Sequence, residues 1–195
     1  MIEHTLPYIA TLARHRETYS QAVNGIDVQV RWLQDGTLAL TYVLKGDCGR
    51  LRLPPSRPPA RIDGLWRHTC FEAFVSVSGN SAYQEFNFSP SGEWAVYQFC
   101  GYRDRSTLEE EETAPQIVAC RTEKHLELEA RIHLHHLPTT QPLRLALSAV
   151  IEDDAGTLSY WALKHPPGKP DFHHPEAFAL EVVPLHGAAT RRENQ

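Results

Sequence analysis

Apolar and polar residues alternate along most of this chain, and this period of two constrains its fold more than any other feature. In IDVQVRWL every second residue from Ile26 to Trp32 is apolar, and in TLALTYVL the same holds from Leu38 to Leu44. An Asp35-Gly36 pair lies between the two segments and is a strong signal for a tight turn. The two segments therefore predict a β-hairpin with one buried face.

Eight further segments have the same alternation or are short runs rich in β-branched and aromatic residues. They cover residues 70–77, 83–89, 93–99, 116–120, 125–132, 143–151, 157–163 and 177–183. The segment 53–64 holds four prolines and is predicted to be an extended loop. About ten short strands with little room for helix predict an all-β fold, an antiparallel β-sandwich. We expect a single domain over residues 1–185 and a flexible C-terminal tail over 186–195.

Charge and hydropathy argue against two classes of partner. The net charge is -5 and the sequence pI is about 6.1, which disfavours binding to nucleic acid. No apolar run is long enough for a transmembrane helix, and the N-terminal residues do not resemble a secretory signal. The four cysteines form no CxxC pair. These features predict a cytoplasmic protein with reduced thiols and no membrane contact.

Alternation in two neighbouring segments separates an apolar face from a polar one. The polar face carries Glu72 from CFEAFVSV together with Tyr83, Glu85 and Asn87 from YQEFNFS. If the apolar faces pack inward, these four side chains project together from the outer surface of one sheet. Carboxylates, amides and aromatic rings suit the recognition of a polyhydroxy ligand. The alternative is an ordinary solvated sheet face.

The segment SYWALKHPPGKPDFHH combines a predicted strand with a loop that its three prolines, and a fourth at Pro175, would stiffen. We expect this loop to close over a pocket, with His165, Asp171 and His173 as polar wall residues. The alternative is that these side chains only cap turns in a long loop. A metal site built from His165, His173, His174 and Glu176 is a further alternative.

Several stretches together resemble a known family: LWRHTCFEAFV, YQEFNFSPSGEWAVYQF, LSAVIED and SYWALKHPPGKPDFHH. They are similar to the DOMON-like group, which is related to the family 9 carbohydrate-binding modules, and the resemblance covers roughly residues 25–183. It implies a β-sandwich that binds a ligand, usually a sugar or haem, and performs no chemistry itself.

The resemblance also implies roles for particular residues. In the sugar-binding relatives a tryptophan precedes an acidic residue by six positions, which Trp66 and Glu72 match. A second tryptophan near the C-terminus completes a sandwich around the sugar ring, a role that falls to Trp161, with Phe172 as the alternative. Arg67 is the candidate for the basic residue that those modules place on the sugar hydroxyls.

Three functions follow from these observations. The leading one is a non-catalytic domain that binds a small-molecule ligand, a carbohydrate or a related polyhydroxy compound, without a cofactor. The second is a small hydrolase or isomerase using Glu72, His68 and Glu85. An extended chain would place His68 about 13 Å from Glu72, too far for direct cooperation unless the chain bends at Thr69. The third is a carrier of a metal ion or of bis-His haem, since Met1 is the only methionine. The sequence specifies no oligomeric state.

Overall fold

The computed structural model describes residues 7–33, 35–106, 114–134 and 141–183. The predicted flexible tail at 186–195 lies outside these residues. No helix among them is long and apolar enough to span a membrane.

Twelve β-strands account for most of the described chain. In chain order they are β1 (Tyr8–Arg14), β2 (Val23–Trp32), β3 (Thr37–Gly46), β4 (Cys70–Val77), β5 (Tyr83–Phe88), β6 (Trp94–Gly101), β7 (Asp104–Ser106), β8 (Gln116–Arg121), β9 (His125–His133), β10 (Leu143–Glu152), β11 (Leu158–Ala162) and β12 (Leu180–Val182).

The strands form the two layers of a sandwich, and neighbouring strands are antiparallel throughout. The first sheet has the order β1-β2-β3-β9-β8, and the second has the order β7-β6-β5-β4-β10-β11, with β12 also paired to β10. Strand β1 belongs to both, because its first five residues pair with β2 while Ala13 and Arg14 pair with β11. The predicted antiparallel β-sandwich is confirmed.

The main core lies between the two sheets. Apolar residues of β2, β3 and β9 pack from the first sheet against those of β4, β5 and β10 from the second. A second, smaller apolar cluster covers the opposite face of the second sheet. There Phe178 from the loop after β11 packs against Phe74, Tyr83 and Phe99, and Phe172 lies against the same cluster. This second layer of burial creates the floor and walls of the candidate site.

The ten predicted strands are all present, including the β2–β3 hairpin, and the segment 53–64 is the expected loop. Two strands, β1 and β7, were not predicted. Strand β1 buries only Leu12 fully, so hydrophobic alternation is almost absent from it. Strand β7 has three residues, which is too short for any periodicity.

Candidate functional site

A cleft of about 460 Å³ opens on the outer face of the second sheet, within the size range of small-molecule sites. Strands β4, β5, β6 and β10 supply its floor, and the loop after β11 supplies one wall. The residues that line it are Trp66, Glu72, Phe74, Glu85, Tyr97, Phe99, Arg103, Arg105, Val150, Tyr160, Pro170, Phe172 and His173.

The floor carries a hydrogen-bonded set of polar side chains. Strand pairing puts Glu72 of β4 opposite Asn87 of β5 on one side and Ser148 of β10 on the other. The Ser148 hydroxyl donates to Glu72 Oε2 at 3.1 Å, and the Asn87 amide donates to Glu85 Oε1 at 2.7 Å. All four side chains are at most 5% exposed. The predicted gathering of Glu72, Glu85 and Asn87 on one outer face is therefore observed, but under cover rather than in solvent.

Burial changes the protonation of both carboxyl groups. Desolvation raises the pKa of Glu85 to about 7, although the Asn87 hydrogen bond and the charges of Arg103 and Arg105 oppose the rise. Desolvation and the neighbouring Glu85 raise the pKa of Glu72 well above its usual range. Burial thus favours the protonated form of both carboxyls, and a protonated carboxyl can donate as well as accept a hydrogen bond.

His173 links the floor to the covering loop. Its Nδ1 lies 2.9 Å from the Tyr83 hydroxyl, and its Nε2 lies 3.6 Å from Glu85 Oε2. Because the Arg103 N–H donates to the Tyr83 oxygen, the hydroxyl proton is available for Nδ1, and the proton of the neutral ring then faces Glu85. Burial, with the nearby charge of Arg103, lowers the pKa of His173 to about 4. The contact between His173 and Glu85 is therefore between neutral groups from about pH 4 to pH 7.

Asp171 holds the covering loop to the β6–β7 turn. Its carboxylate accepts hydrogen bonds from the Tyr102 hydroxyl at 2.7 Å and from Arg103 Nη2 at 2.8 Å, and from the backbone N–H of His173 at 3.2 Å. Burial disfavours its charge, but the hydrogen bonds from Tyr102 and Arg103 outweigh it and lower the pKa of Asp171. Asp171 is thus a support for the wall.

An aromatic wall faces the polar floor. Trp66 lies in a short 3-10 turn, Leu65–Arg67, and is 39% exposed. Its ring meets that of Tyr97 edge to face, with 5.8 Å between centroids. The Tyr97 hydroxyl donates to Asp63 at 2.8 Å, which fixes the ring under Trp66. A tryptophan held at a cleft with an exposed face is suited to stacking on an apolar ligand surface.

Five predicted site residues line the cleft: Trp66, Glu72, Glu85, Phe172 and His173. Three others, Tyr83, Asn87 and Asp171, hydrogen-bond to lining residues or to their neighbours without lining it themselves.

The prediction that Trp161 stacks on the ligand opposite Trp66 is wrong. Trp161 lies in the main core between the sheets, is 5% exposed, and donates its indole N–H to Ser159 at 3.0 Å. Successive side chains of a strand point to opposite faces of the sheet. In β11, Trp161 points inward and the adjacent Tyr160 points to the cleft. Trp161 therefore does not form a sandwich with Trp66, and Phe172 and Tyr160 are the aromatic residues on that wall.

The prediction that Arg67 and His68 belong to this site is also wrong, because both line a separate cleft beyond the 3-10 turn. There His68 Nδ1 lies 2.7 Å from Glu152 Oε2, and Arg52 bonds the other oxygen at 2.6 Å. His68 is thus paired with Glu152 and not with Glu72.

His165 likewise lies off the cleft. Its Nε2 is 2.8 Å from the carbonyl of Ala13, and its ring packs against that of His15. This histidine ties the covering loop to β1. It is not a wall residue of the cleft.

The described residues do not fit the metal or haem alternatives. They contain no group of three or more His, Cys, Asp or Glu side chains arranged to hold a metal ion. His173 is the one histidine among the lining residues, and its ring already contacts Tyr83 and Glu85, so the described cleft offers no bis-His axial pair.

Eight lining residues were missed by the sequence analysis, and four of them carry a polar or charged group: Tyr97, Arg103, Arg105 and Tyr160. A signal for Tyr97 was present, because alternation along β6 places it on the face opposite Trp94 and Val96. Arg103 and Arg105 belong to the short β6–β7 hairpin, which gives no such signal.

Comparisons with known proteins bear on the fold. No protein-family model and no curated protein matches the chain. A Bacteroides uniformis protein provisionally described as carbohydrate-binding matches at a TM-score of 0.65 and 14% identity, over 87% of this chain and 83% of that one.

Two structures of a family 9 carbohydrate-binding module from Caldicellulosiruptor kristjanssonii also match. The complex with glucose gives a TM-score of 0.62 at 10% identity, over 91% of this chain and 84% of that one. The complex with cellotriose gives 0.54 at 11% identity, over 80% and 74%. This chain has the β-sandwich fold of the family 9 carbohydrate-binding modules.

Proposed function

We propose that the cleft binds a carbohydrate or a related polyhydroxy small molecule and does not transform it. One observation carries the proposal: a buried set of carboxyl, amide and hydroxyl groups forms the floor of a cleft whose wall is aromatic. Buried polar groups cost free energy unless they are hydrogen-bonded, so a floor of this kind favours a ligand rich in hydroxyl groups.

The two surfaces of the cleft match the two surfaces of a sugar ring. The exposed face of Trp66 can stack on ring C–H groups. Burial raises the pKa of Glu72 and favours its protonated form, which can donate to one ligand hydroxyl and accept from another. Glu85 and the His173 Nε2–H add a second acceptor and a donor within the same floor.

The cleft is proposed to bind without catalysis because of how its acidic groups are paired. The hydrolase or isomerase alternative needs His68 beside Glu72, and His68 is instead bonded to Glu152 in another cleft. The floor carboxyls are bonded to Ser148 and Asn87, which hold them in place. The family 9 modules that share this fold were solved with glucose and with cellotriose, which supports a sugar as the ligand class.

Calorimetric titration with a panel of mono- and oligosaccharides, neutral and acidic, tests the proposal. We expect saturable binding of at least one sugar, and an affinity at least tenfold lower in Trp66→Ala, because stacking on the ring is lost. Tyr19→Ala is the matched control, since Tyr19 is 63% exposed and does not line the cleft. No binding across the panel, or binding that Trp66→Ala leaves unchanged, would remove this proposal.

A further inference from the structure

Arg105 lines the cleft, and no described carboxylate forms an ion pair with it. In β7 it lies opposite Phe99, on the side of the strand that faces the cleft. Its guanidinium carbon lies 4.2 Å from the centroid of the Tyr97 ring, a cation–π contact that holds the group at the wall. Arg103, two residues earlier, is instead paired with Asp171 at 2.8 Å.

The other charges around the cleft nearly offset one another. Burial favours the neutral form of Glu72, and a pKa of about 4 leaves His173 uncharged at pH 7. Arg103 and Asp171 form one pair, and Arg61 and Asp63 form another at 3.7 Å near Tyr97. Among the described residues Glu85 alone opposes the charge of Arg105, and it is only partly ionised near pH 7. The wall beside Tyr97 therefore presents a net positive charge to a ligand.

We propose that the preferred ligand is a sugar with an anionic substituent, a carboxylate or a phosphate, which Arg105 binds while the ring lies against Trp66. This inference rests on the proposed function. A guanidinium has five N–H donors, so one in contact with an aromatic ring retains donors for a ligand. Those donors match the two oxygens of a carboxylate or phosphate, and such charge-assisted pairs are stronger than bonds to neutral hydroxyls.

Matched sugars separate this inference from the proposed function. The probes are glucose, glucuronate and glucose 6-phosphate, with galactose and galacturonate as a second pair, titrated at pH 7 and low salt. We expect at least one acid to bind ten times more tightly than its neutral parent. Comparing glucuronate with glucose 6-phosphate shows whether the anionic group is a carboxylate or a phosphate.

Two variants assign the preference to one side chain. Arg105→Gln should reduce the ratio of acid to neutral affinity to near one while neutral binding persists. Arg14→Gln is the control, because Arg14 makes a cation–π contact with Tyr19 at 5.9 Å and does not line the cleft, so the ratio should stay unchanged. Equal affinity for acid and neutral sugar, or a preference that survives Arg105→Gln, overturns the inference and leaves the proposed function standing. Binding of no probe, neutral or acidic, overturns the inference, and binding of no sugar in the wider calorimetric panel overturns both.

A pH series adds a readout that a merely structural role for Arg105 would not move. As the pH falls from 8 to 6, Glu85 takes up a proton and no longer competes for Arg105. The ratio of glucuronate to glucose affinity should therefore rise over this range. A ratio that falls towards pH 6 would contradict the inference.

Discussion

The outer surfaces of the two sheets differ, since that of the first sheet faces solvent and that of the second is largely covered. In the first sheet, β2 alternates between buried and more exposed residues, as expected for a sheet with one solvated face. In the second sheet, β5 is buried at every position and β4 at all but its last. The loop after β11 and the 3-10 turn that carries Trp66 provide this cover.

The difference matters because the covered face is polar. Burying the carboxyls of Glu72 and Glu85 disfavours their ionised forms, which their raised pKa values reflect. An all-apolar layer would be an easier way to cover a sheet. A polar face that is buried, hydrogen-bonded and still open to a cleft is instead typical of a binding site.

The largest expected effect contrasts the two faces of β4. Phe71 lies in the main core, whereas Phe74 borders the cleft on the opposite face. Phe71→Ala should lower the free energy of unfolding by about 3–5 kcal/mol, because it leaves a cavity that cannot fill with water. Phe74→Ala should cost less, since the cleft and the loop beside it can adjust. Urea unfolding measures both, and an equal or larger loss for Phe74→Ala would break the comparison.

A smaller effect contrasts two buried glutamates. Glu152 is bonded to Arg52 and His68, so Glu152→Gln should lower the free energy of unfolding by about 1–3 kcal/mol. Glu72→Gln should cost less at pH 7, because burial favours the protonated form of Glu72, which an amide resembles. Urea unfolding of the two variants at pH 7 tests this, and a greater loss for Glu72→Gln would show that Glu72 is ionised.

The pH dependence of stability should show two opposing contributions from the site. The pKa of Glu85 rises from 4.5 to about 7 on folding, so the folded state holds an extra proton between these values, and stability decreases as the pH rises through this window. The pKa of His173 falls from 6.5 to about 4, so its contribution decreases as the pH falls through that window. Glu72 acts in the same direction as Glu85.

Single variants should separate these contributions. Relative to wild type, Glu85→Gln should lose stability more steeply on acidification from pH 6.5 to 4.5, and His173→Gln should gain stability over the same range. Between pH 6.5 and 4.5, the difference in the free energy of unfolding between each variant and wild type should change by about 1–2 kcal/mol. Urea unfolding at half-unit pH steps measures it. Parallel profiles for all three proteins would contradict the assigned pKa shifts.

The smallest effect concerns the loop that covers the second sheet. Asp171→Asn should lower the free energy of unfolding by less than about 1 kcal/mol, since its ion pair with Arg103 is partly exposed. Amide exchange around His173 should nevertheless accelerate, because the variant weakens the tether to the β6–β7 turn. Asp154→Asn removes a comparable pair with Arg50 elsewhere and should leave that exchange unchanged.

Much of the fold and part of the candidate site could be predicted from the sequence. Alternation with a period of two identifies the strands and the face on which each side chain lies. It located ten strands and placed Glu72, Glu85 and Asn87 together. The sequence analysis failed where a shift of one residue changes which side chain faces the cleft. Trp161 and Tyr160 are adjacent in β11, and either could have faced it. Strand pairing across the sandwich determines which one does.

The residues that the sequence analysis misplaced or missed depend on irregular backbone. The 3-10 turn at Leu65–Arg67 separates Trp66 from Arg67 and His68, which an extended chain would have kept near one surface. Arg103 lies in a two-residue turn with a positive φ of 56°, and Arg105 in a three-residue strand. Such short-range geometry depends on tertiary contacts, which neither alternation nor composition records.

Indole N–H signals in an NMR titration test the central claim most directly, because the four tryptophans divide between the cleft and the core. Trp66 borders the cleft, whereas Trp32, Trp94 and Trp161 lie in the main core. With ¹⁵N-labelled protein, Trp66→Phe to assign the signal, and the neutral and acidic sugars above as ligands, the shift should be largest at Trp66 and small at the other three. A ligand that shifts the core signals and leaves Trp66 unmoved would place the binding site elsewhere.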